Sequence, residues 1–461
     1  MTDARGMGGV NASGGFDYQL WEGLARLPAW LANPAFEGMI FEGLEDIEAR
    51  FFAPHAANGR VLERLQAKSG ALLPADVRAV MKDLQTFEKS YPQVARVQAL
   101  VTPHVPPTLT WLARDAARVR KARPFYMPFA DVAAASDEKL LQDMSKEFGA
   151  ELGAFVAGHV DVIERPLLDR DGAVAAFATA LARAFPQLQA WAQNAERAFT
   201  ALETLGRAKL GSLLPRAALV EIMTKELGAF VPDAPVVVHV RSDRNGSDET
   251  AIEIDASAFS GGDAGFPETS VWAEFLLAPL DRTARWLRAH DISRVKLGGS
   301  YRISTALALG WALRSATGFE LEIPTRDGGW TTDDRGAPDL AAGWRMNDVG
   351  ALAGQRLVVT IGVLRDPAAD VANQIGTASM LSAYLDAPIT TAAMAQASVG
   401  ALRLKIAEAA ARLRPEGIDL YFAGPAALAV ALGHRWNALP STRLHEFVAA
   451  DRKYVETAVL G

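Results

Sequence analysis

RVKLGGSYRISTALALGWALRS (294–315) decides how the second half of this chain is read. Val295 and Leu297 alternate with polar neighbours, which is the period of a strand. Gly298 and Gly299 then break the pattern. From Ser304 to Leu313 the run is rich in Ala and Leu, as a buried helix is. The same order of strand, small-residue turn and small-residue helix returns in DLYFAGPAALAVALGHRW (419–436). The recurrence predicts a duplicated α/β unit. Further apolar runs, VVVHV (236–240), FELEI (319–323) and RLVVTIGVL (356–364), alternate with helical stretches at 270–291 and 398–417. Strands alternating with helices predict a mostly parallel, Rossmann-like sheet.

The 461 residues suggest two or three domains, and a 50% hydrophobic content suffices for large cores. The net charge of −7 excludes a generally basic nucleic-acid binder. Arg114, Arg118, Arg120, Lys121 and Arg123 form the one local basic excess. Without cysteine there is no disulfide scaffold, Cys-based zinc site, iron–sulfur cluster or thiol nucleophile. A metal must therefore sit on oxygen ligands or on the seven histidines, which are scattered singly. GxGxxG, GxxxxGK[ST], HExxH and GxSxG patterns are absent. The polar, Gly-rich start MTDARGMGGVNASGG has no apolar signal core, and no run of apolar residues is long enough for a membrane span. The expectation is a cytoplasmic protein without a membrane anchor.

In the first half, residues 1–15 read as a flexible leader and 16–30 as an apolar-faced helix. MIFEGLEDIEARFF (39–52) and RVLERLQAK (60–68) read as a hairpin. Helices at 76–90 and 109–122 flank a buried strand at 94–102. Residues 137–228 read as helical, interrupted at Pro186. The expected layout is a small α/β domain over 1–135, a helical extension and connector over 136–230, and the duplicated unit over 231–461.

Chemistry concentrates in two places. On a single strand Glu42, Asp46 and Glu48 would share one face. A loop centred between Ala56 and Ala57 would set Asp46 opposite position 67, beside both Gln66 and Lys68. An acid and an amide oxygen can hold a hard cation. The cation would polarise a phosphate and acidify a water, and the lysine would stabilise developing charge. The plain alternative is a strand face turned to solvent. SGGFDYQ (13–19), FEGLEDIE (41–48) and LQAKS (65–69) together resemble the PD-(D/E)xK nuclease domain of Cap-type antiphage effectors, over roughly residues 10–125. The resemblance implies a restriction-endonuclease-like fold, with Asp46 and Gln66 on Mg2+ or Mn2+ and Lys68 as the catalytic lysine. It makes Glu42 and Glu45 auxiliary acids and brings Glu22 near the site. Gln66 replaces the usual acid, so metal affinity should be modest.

The second place is the pair of turns. Gly299, Ser300, Tyr301, Arg302 and Thr305 follow one strand, and Gly424 and Pro425 follow the other. Ligands of α/β folds bind at the carboxyl ends of strands, where glycine backbone and helix N–H groups attract phosphate. The alternative is that these glycines only permit tight turns. The stretches 298–332, 418–436 and 444–455 are similar to the SAVED domain, over about 230–461. That family joins two CARF-like units and senses cyclic oligonucleotides made by CD-NTases in CBASS defence. Trp330 is then a base-stacking residue or a core tryptophan, and Lys405 reaches toward a phosphate. Together the resemblances imply a nuclease that binds a cyclic di- or trinucleotide, forms a homo-oligomer and cuts double-stranded DNA. A non-catalytic cyclic-oligonucleotide-binding regulator is the alternative. A stand-alone restriction-like nuclease would leave the second half without a purpose.

Overall fold

The computed structural model describes residues 4–43, 46–56, 58–92, 94–116, 130–231, 236–242, 251–261, 265–326, 328–333, 338–341, 343–352, 355–377 and 379–461. The chain forms two compact units, Met1–Ala234 and Pro235–Gly461.

In the first unit a long helix, α1 (Ala4–Ala32), precedes a hairpin of β1 (Phe36–Phe41), β2 (Ile47–Phe52) and β3 (Arg60–Ala67). Then come α2 (Pro74–Ser90), β4 (Ala95–Thr102), α3 (Ala130–Phe148), α4 (Ala150–His159) and β5 (Val160–Glu164). α5 (Arg170–Ala184), α6 (Ala195–Ala208), the short β6 (Leu214–Pro215) and α7 (Arg216–Leu227) complete it. The sheet order is β5-β4-β3-β2-β1-β6. β1, β2 and β3 run antiparallel, whereas β3, β4 and β5 are parallel. Strand alternation separates two cores. Leu65, Ala67, Ala99 and Val101 pack with α1 and α5–α7, while Leu100 and Val162 pack with α2–α4.

Several expectations are corrected here. Helix begins at Ala4, so most of the expected leader is not a free segment. The expected strand 39–52 is two strands, because Glu42 takes a left-handed φ of 54° and the chain turns back on itself. Glu42, Asp46 and Glu48 therefore do not share one strand face. The register Ile47↔Leu65 and Glu48↔Arg64, continued by one pair, sets position 46 opposite Gln66 rather than position 67. VDVIE (160–164), inside the region read as helical, is an edge strand of the sheet. Residues 136–230 lie in the same compact unit as the domain they were expected to extend. Pro186 does end a helix: α5 stops at Ala184 and a 3-10 turn spans Pro186–Asn194. The expected helix 109–122 is a 3-10 turn (Pro107–Leu109) and a π turn (Leu112–Ala116); its remainder lies outside the described residues.

The second unit holds two sheets. The first contains β7 (Val237–Arg241), β8 (Ile252–Asp255), β9 (Arg294–Ser300), β10 (Glu320–Thr325) and β11 (Gly328–Thr331), in the order β11-β10-β9-β7-β8. The second contains β12 (Arg345–Met346), β13 (Arg356–Val363), β14 (Leu381–Leu385), β15 (Gly417–Ala423), β16 (Thr442–Val448) and β17 (Lys453–Leu460), in the order β12-β14-β13-β15-β16-β17. Their central strands are parallel. The longer helices are α8 (Ala278–Ala289), which continues a helical turn (Thr269–Trp272) and a π turn (Ala273–Leu277), α9 (Ile303–Ala312), α10 (Ala368–Ile375), α11 (Ala392–Leu413) and α12 (Ala426–His434). The expected repeat is visible as β9–α9 and β15–α12. The two repeat helices cross on each other at Gly310 and Gly433.

His434, at the end of α12, is almost wholly buried, and its Nδ1 lies 2.6 Å from the Leu313 carbonyl. A carbonyl accepts only, so Nδ1 carries the proton and donates. Burial, with a smaller push from Arg435, lowers its pKa to about 4. The unfolded value is near 6.5. Between those two values the unfolded chain binds a proton that the folded chain does not, so stability falls as pH falls. The expected loss on going from pH 7 to 4.5 is about 2–3 kcal/mol. Urea unfolding of the parent and of His434→Gln at both pH values measures it. Equal pH slopes for the two proteins would contradict the assignment.

Candidate functional site

In the first unit the site forms where the β1–β2 turn meets the end of β3. Asp46 Oδ2 accepts the Ala67 N–H at 2.8 Å. Lys68 Nζ stands 3.9 Å from the same oxygen, and its main-chain N–H is held by the Val101 carbonyl at 2.9 Å. The Gln19 side chain, reaching from α1, also hydrogen-bonds Asp46. Burial pushes the Asp46 carboxyl above its ordinary range, and Lys68, the Ala67 N–H and Gln19 oppose that shift. Gln66 Oε1 and Gln19 Oε1 are buried acceptors without a hydrogen-bond partner. Such groups are costly unless something binds them. A desolvated carboxylate, with Gln19 bonded to it and Gln66 opposite it in the continued register, offers oxygen donors of the kind a hard cation takes. Among the described residues no group of three His, Cys, Asp or Glu could hold a metal. A cation here would therefore depend on Asp46, the amide oxygens and water.

The other candidates fall elsewhere. Glu42 is exposed and donates its main-chain N–H to the Asp46 carbonyl at 3.0 Å, which shapes the turn. Its carboxylate makes no hydrogen bond or ion pair with Asp46, Gln66 or Lys68. Glu22 is fully buried and bound to Arg165 at 3.1 Å and Arg26 at 3.8 Å. Both contacts are made by Oε2, while Oε1 is buried without a hydrogen-bond partner. Glu48 is buried on β2 opposite Arg64. Arg64 stacks 3.4 Å from the Phe87 ring centre and donates to Gln98 Oε1 at 3.0 Å, which braces β3 two residues before Gln66. Glu45 and the basic residues 118–123 lie outside the described residues; Arg114 is exposed. Gln19 was not among the expected site residues, although it ends the quoted stretch SGGFDYQ.

In the second unit both turns follow parallel strands, as expected. Gly299 has φ 87°, and a Cβ there would stand 1.9 Å from the Val240 carbonyl, so the close pairing of β7 and β9 excludes any other residue. The Ser300 carbonyl accepts from the Ser242 hydroxyl, and Arg302 Nε donates to the Ser260 carbonyl. Burial raises the Tyr301 hydroxyl to about 12, which keeps it a neutral donor. Thr305 is fully buried and its Oγ1 has no partner. Trp330 is 6% exposed on β11 and offers no open stacking face. Gly424 and Pro425 join β15 to α12, and the Pro425 carbonyl accepts the Leu428 N–H at 3.0 Å. Lys405 Nζ lies 3.7 Å from Asp348 Oδ2, among Met346, Leu381 and Ala383 of β12 and β14. Its surroundings belong to neither turn.

A duplicated Rossmann-like unit with a glycine-bearing turn at the end of a central strand in each half places both turns where α/β folds bind ligands. The resemblance drawn from 298–332, 418–436 and 444–455 is borne out. Residues 279–460 match the SAVED family, described as the SMODS-associated and fused to various effectors sensor domain. CD-NTase-associated protein 4 of Moraxella osloensis is 22% identical over 476 residues, spanning 100% of this chain and 99% of that protein. Its namesake from an Acinetobacter strain is 21% identical over 479 residues, again spanning 100% and 99%. Among solved structures, the Acinetobacter baumannii Cap4 SAVED/CARF-domain containing receptor with the cyclic trinucleotide 2'3'3'-cAAA superposes with a TM-score of 0.78. It is 18% identical, covering 96% of this chain and 98% of that one. The Moraxella osloensis Cap4 receptor superposes with a TM-score of 0.71 at 20% identity, covering 97% and 99%. The mixed α/β fold is therefore shared along the chain. No described helix is long and apolar enough to cross a membrane.

Proposed function

We propose that this chain is a cytoplasmic CBASS antiphage effector, a metal-dependent DNA endonuclease activated when its sensor unit binds a cyclic oligonucleotide. The observation that carries the nuclease half is the meeting of Asp46, Gln66 and Lys68 at one end of β3, with Lys68 Nζ 3.9 Å from the Asp46 carboxylate. Asp46 and Gln66 would hold Mg2+ or Mn2+, with Gln19 as a further oxygen donor. The bound cation supplies phosphate polarisation and an acidified water. Lys68 orients the attacking water and stabilises the negative charge that grows on the phosphate.

The sensor half is supported by the SAVED match at 279–460 and by relatives solved with 2'3'3'-cAAA and 3'3'3'-cAAA. A cyclic trinucleotide is the favoured activator. The net charge of −7 gives a single copy little attraction for double-stranded DNA. Ligand-induced homo-oligomers would gather several weak DNA contacts into one particle. This requires the ligand to bind the assembled state more tightly than the free one. The test is a DNA-cleavage assay with magnesium across a panel of cyclic di- and trinucleotides. Double-stranded DNA should be cut only when metal and one of the cyclic trinucleotides are both present. Cutting by the purified protein without ligand would sink the coupling.

One observation favours a second reading, a non-catalytic regulator: among the described residues, Asp46 is the only carboxylate bonded into the constellation. Cyclic-trinucleotide binding without cleavage in either Mg2+ or Mn2+ would establish it.

A further inference from the structure

The turn after β9 leads into the N-terminus of α9, where unpaired N–H groups and the helix dipole attract an anion. That seat is already occupied. Glu446, on β16 in the other half of the unit, is 6% exposed, and its Oε1 accepts the Ser304 N–H at 2.6 Å. The Ile303 N–H bonds the same carboxylate. Ser304 Oγ is tied to Thr457 Oγ1 at 2.7 Å, and Thr457 Oγ1 donates to the Leu444 carbonyl at 3.0 Å. Amide and hydroxyl of Ser304 are thus both engaged by the β16–β17 pair. Burial pushes the Glu446 carboxyl above its ordinary range, and the Ser304 and Ile303 N–H groups and the guanidinium of Arg302, on the rim of the same turn, oppose that shift and favour the charged form.

We infer that Glu446 is a specificity-determining residue of the sensor: a resident anion in the seat this turn would otherwise offer to a phosphate. The inference rests on the reading of this unit as a receptor for a phosphate-bearing cyclic oligonucleotide. The helix N–H groups are then not the ligand's phosphate contacts in this half, and Arg302 is the group of the turn that meets a phosphate. The negative charge beside Arg302 weakens the attraction of the turn for a polyanion. It also bonds the first α/β half to the second, so the turn's geometry depends on β16 staying in place.

Two substitutions separate this role from simple helix capping. Glu446→Gln keeps an acceptor oxygen for the Ser304 and Ile303 N–H groups and removes the charge. It should bind 3'3'3'-linked cyclic triadenylate about three- to tenfold more tightly than the parent, because one repulsive charge near the ligand is gone. Glu446→Ala empties the seat. Its melting temperature should rise in sulfate relative to chloride at equal ionic strength, while that of the parent should not. Calorimetric titration and thermal melts of the full chain read both. No sulfate-specific rise in Glu446→Ala overturns the seat. Equal or weaker trinucleotide binding by folded Glu446→Gln overturns the role in selectivity. If the parent binds no cyclic trinucleotide, the proposed ligand falls and with it that role, while the sulfate comparison still decides whether Glu446 fills an anion seat.

Discussion

Lys68→Ala should lower ligand-activated DNA cleavage by about a hundredfold or more, while cyclic-trinucleotide binding stays within about twofold of the parent. The asymmetry follows from position. Lys68 lies just past β3 in the first unit, whereas the ligand turns belong to the second. Its main chain is held by the Val101 carbonyl and its side chain is 35% exposed. Truncation therefore removes an ammonium without opening a core cavity. The lost ammonium stands 3.9 Å from Asp46, where charge would develop on the reacting phosphate. Charge stabilisation of this kind typically accounts for a factor of 10²–10³ in rate. Asp46→Asn is the companion. The asparagine oxygen still accepts the Ala67 N–H, but a bound cation would lose the charge of Asp46. Plasmid-cleavage time courses with magnesium and ligand, beside calorimetric ligand titration, check both. Undiminished cleavage by Lys68→Ala would remove this constellation from the chemistry. Joint loss of cleavage and ligand binding would mean the substitution had damaged the fold.

Local pattern made the duplicated half legible. In RVKLGGSYRISTALALGWALRS the period changes from two to a continuous apolar helix at a pair of glycines, and β9 and α9 follow that change. Strands read from such runs, β7, β10, β13 and β15 among them, lie within a residue or two of their expected bounds. What escaped was set by tertiary contacts. VDVIE pairs beside β4 as an edge strand; its β-branched residues carry a strand signal, but five residues between helices are a short run to set against the helical pattern around them. Glu42, at the end of β1, takes a left-handed φ, for which its residue type has no preference. The turn there replaced the expected shared face of Glu42, Asp46 and Glu48. Asp46, just beyond the last β2–β3 pair, still accepts the Ala67 N–H and stands 3.9 Å from Lys68. Gln19 and Glu446 reach their partners from 27 and 142 positions away in sequence. No periodicity reports such distances.

Gly310→Ala and Gly433→Ala should each destabilise the second unit by about 2–3 kcal/mol, although alanine favours a helix by about 1 kcal/mol over glycine. At the crossing of α9 and α12 a Cβ on Gly310 would stand 2.1 Å from the Val430 carbonyl oxygen. A Cβ on Gly433 would stand 2.2 Å from the Leu307 carbonyl oxygen. Each glycine thus meets the carbonyl three residues before the other, the reciprocity expected of helices related by an approximate twofold axis. Backbone cannot rotate away as a side chain can, so the helices must part by close to an ångström. The parting would loosen packing around Leu307, Leu309, Val430 and Leu432, all buried. Once one alanine has separated the helices, the second finds its room already made. The double variant should therefore lose less than the sum of the two single losses, by about 1 kcal/mol or more. Gly400→Ala on α11 is the control. Nothing lies within 4 Å of its Cβ position, so the change should be neutral or stabilising. Urea unfolding of the full chain, followed by tryptophan fluorescence, compares the four variants. Strictly additive losses, or a neutral Gly310→Ala, would contradict the reciprocal crossing that relates the two α/β halves of the second unit.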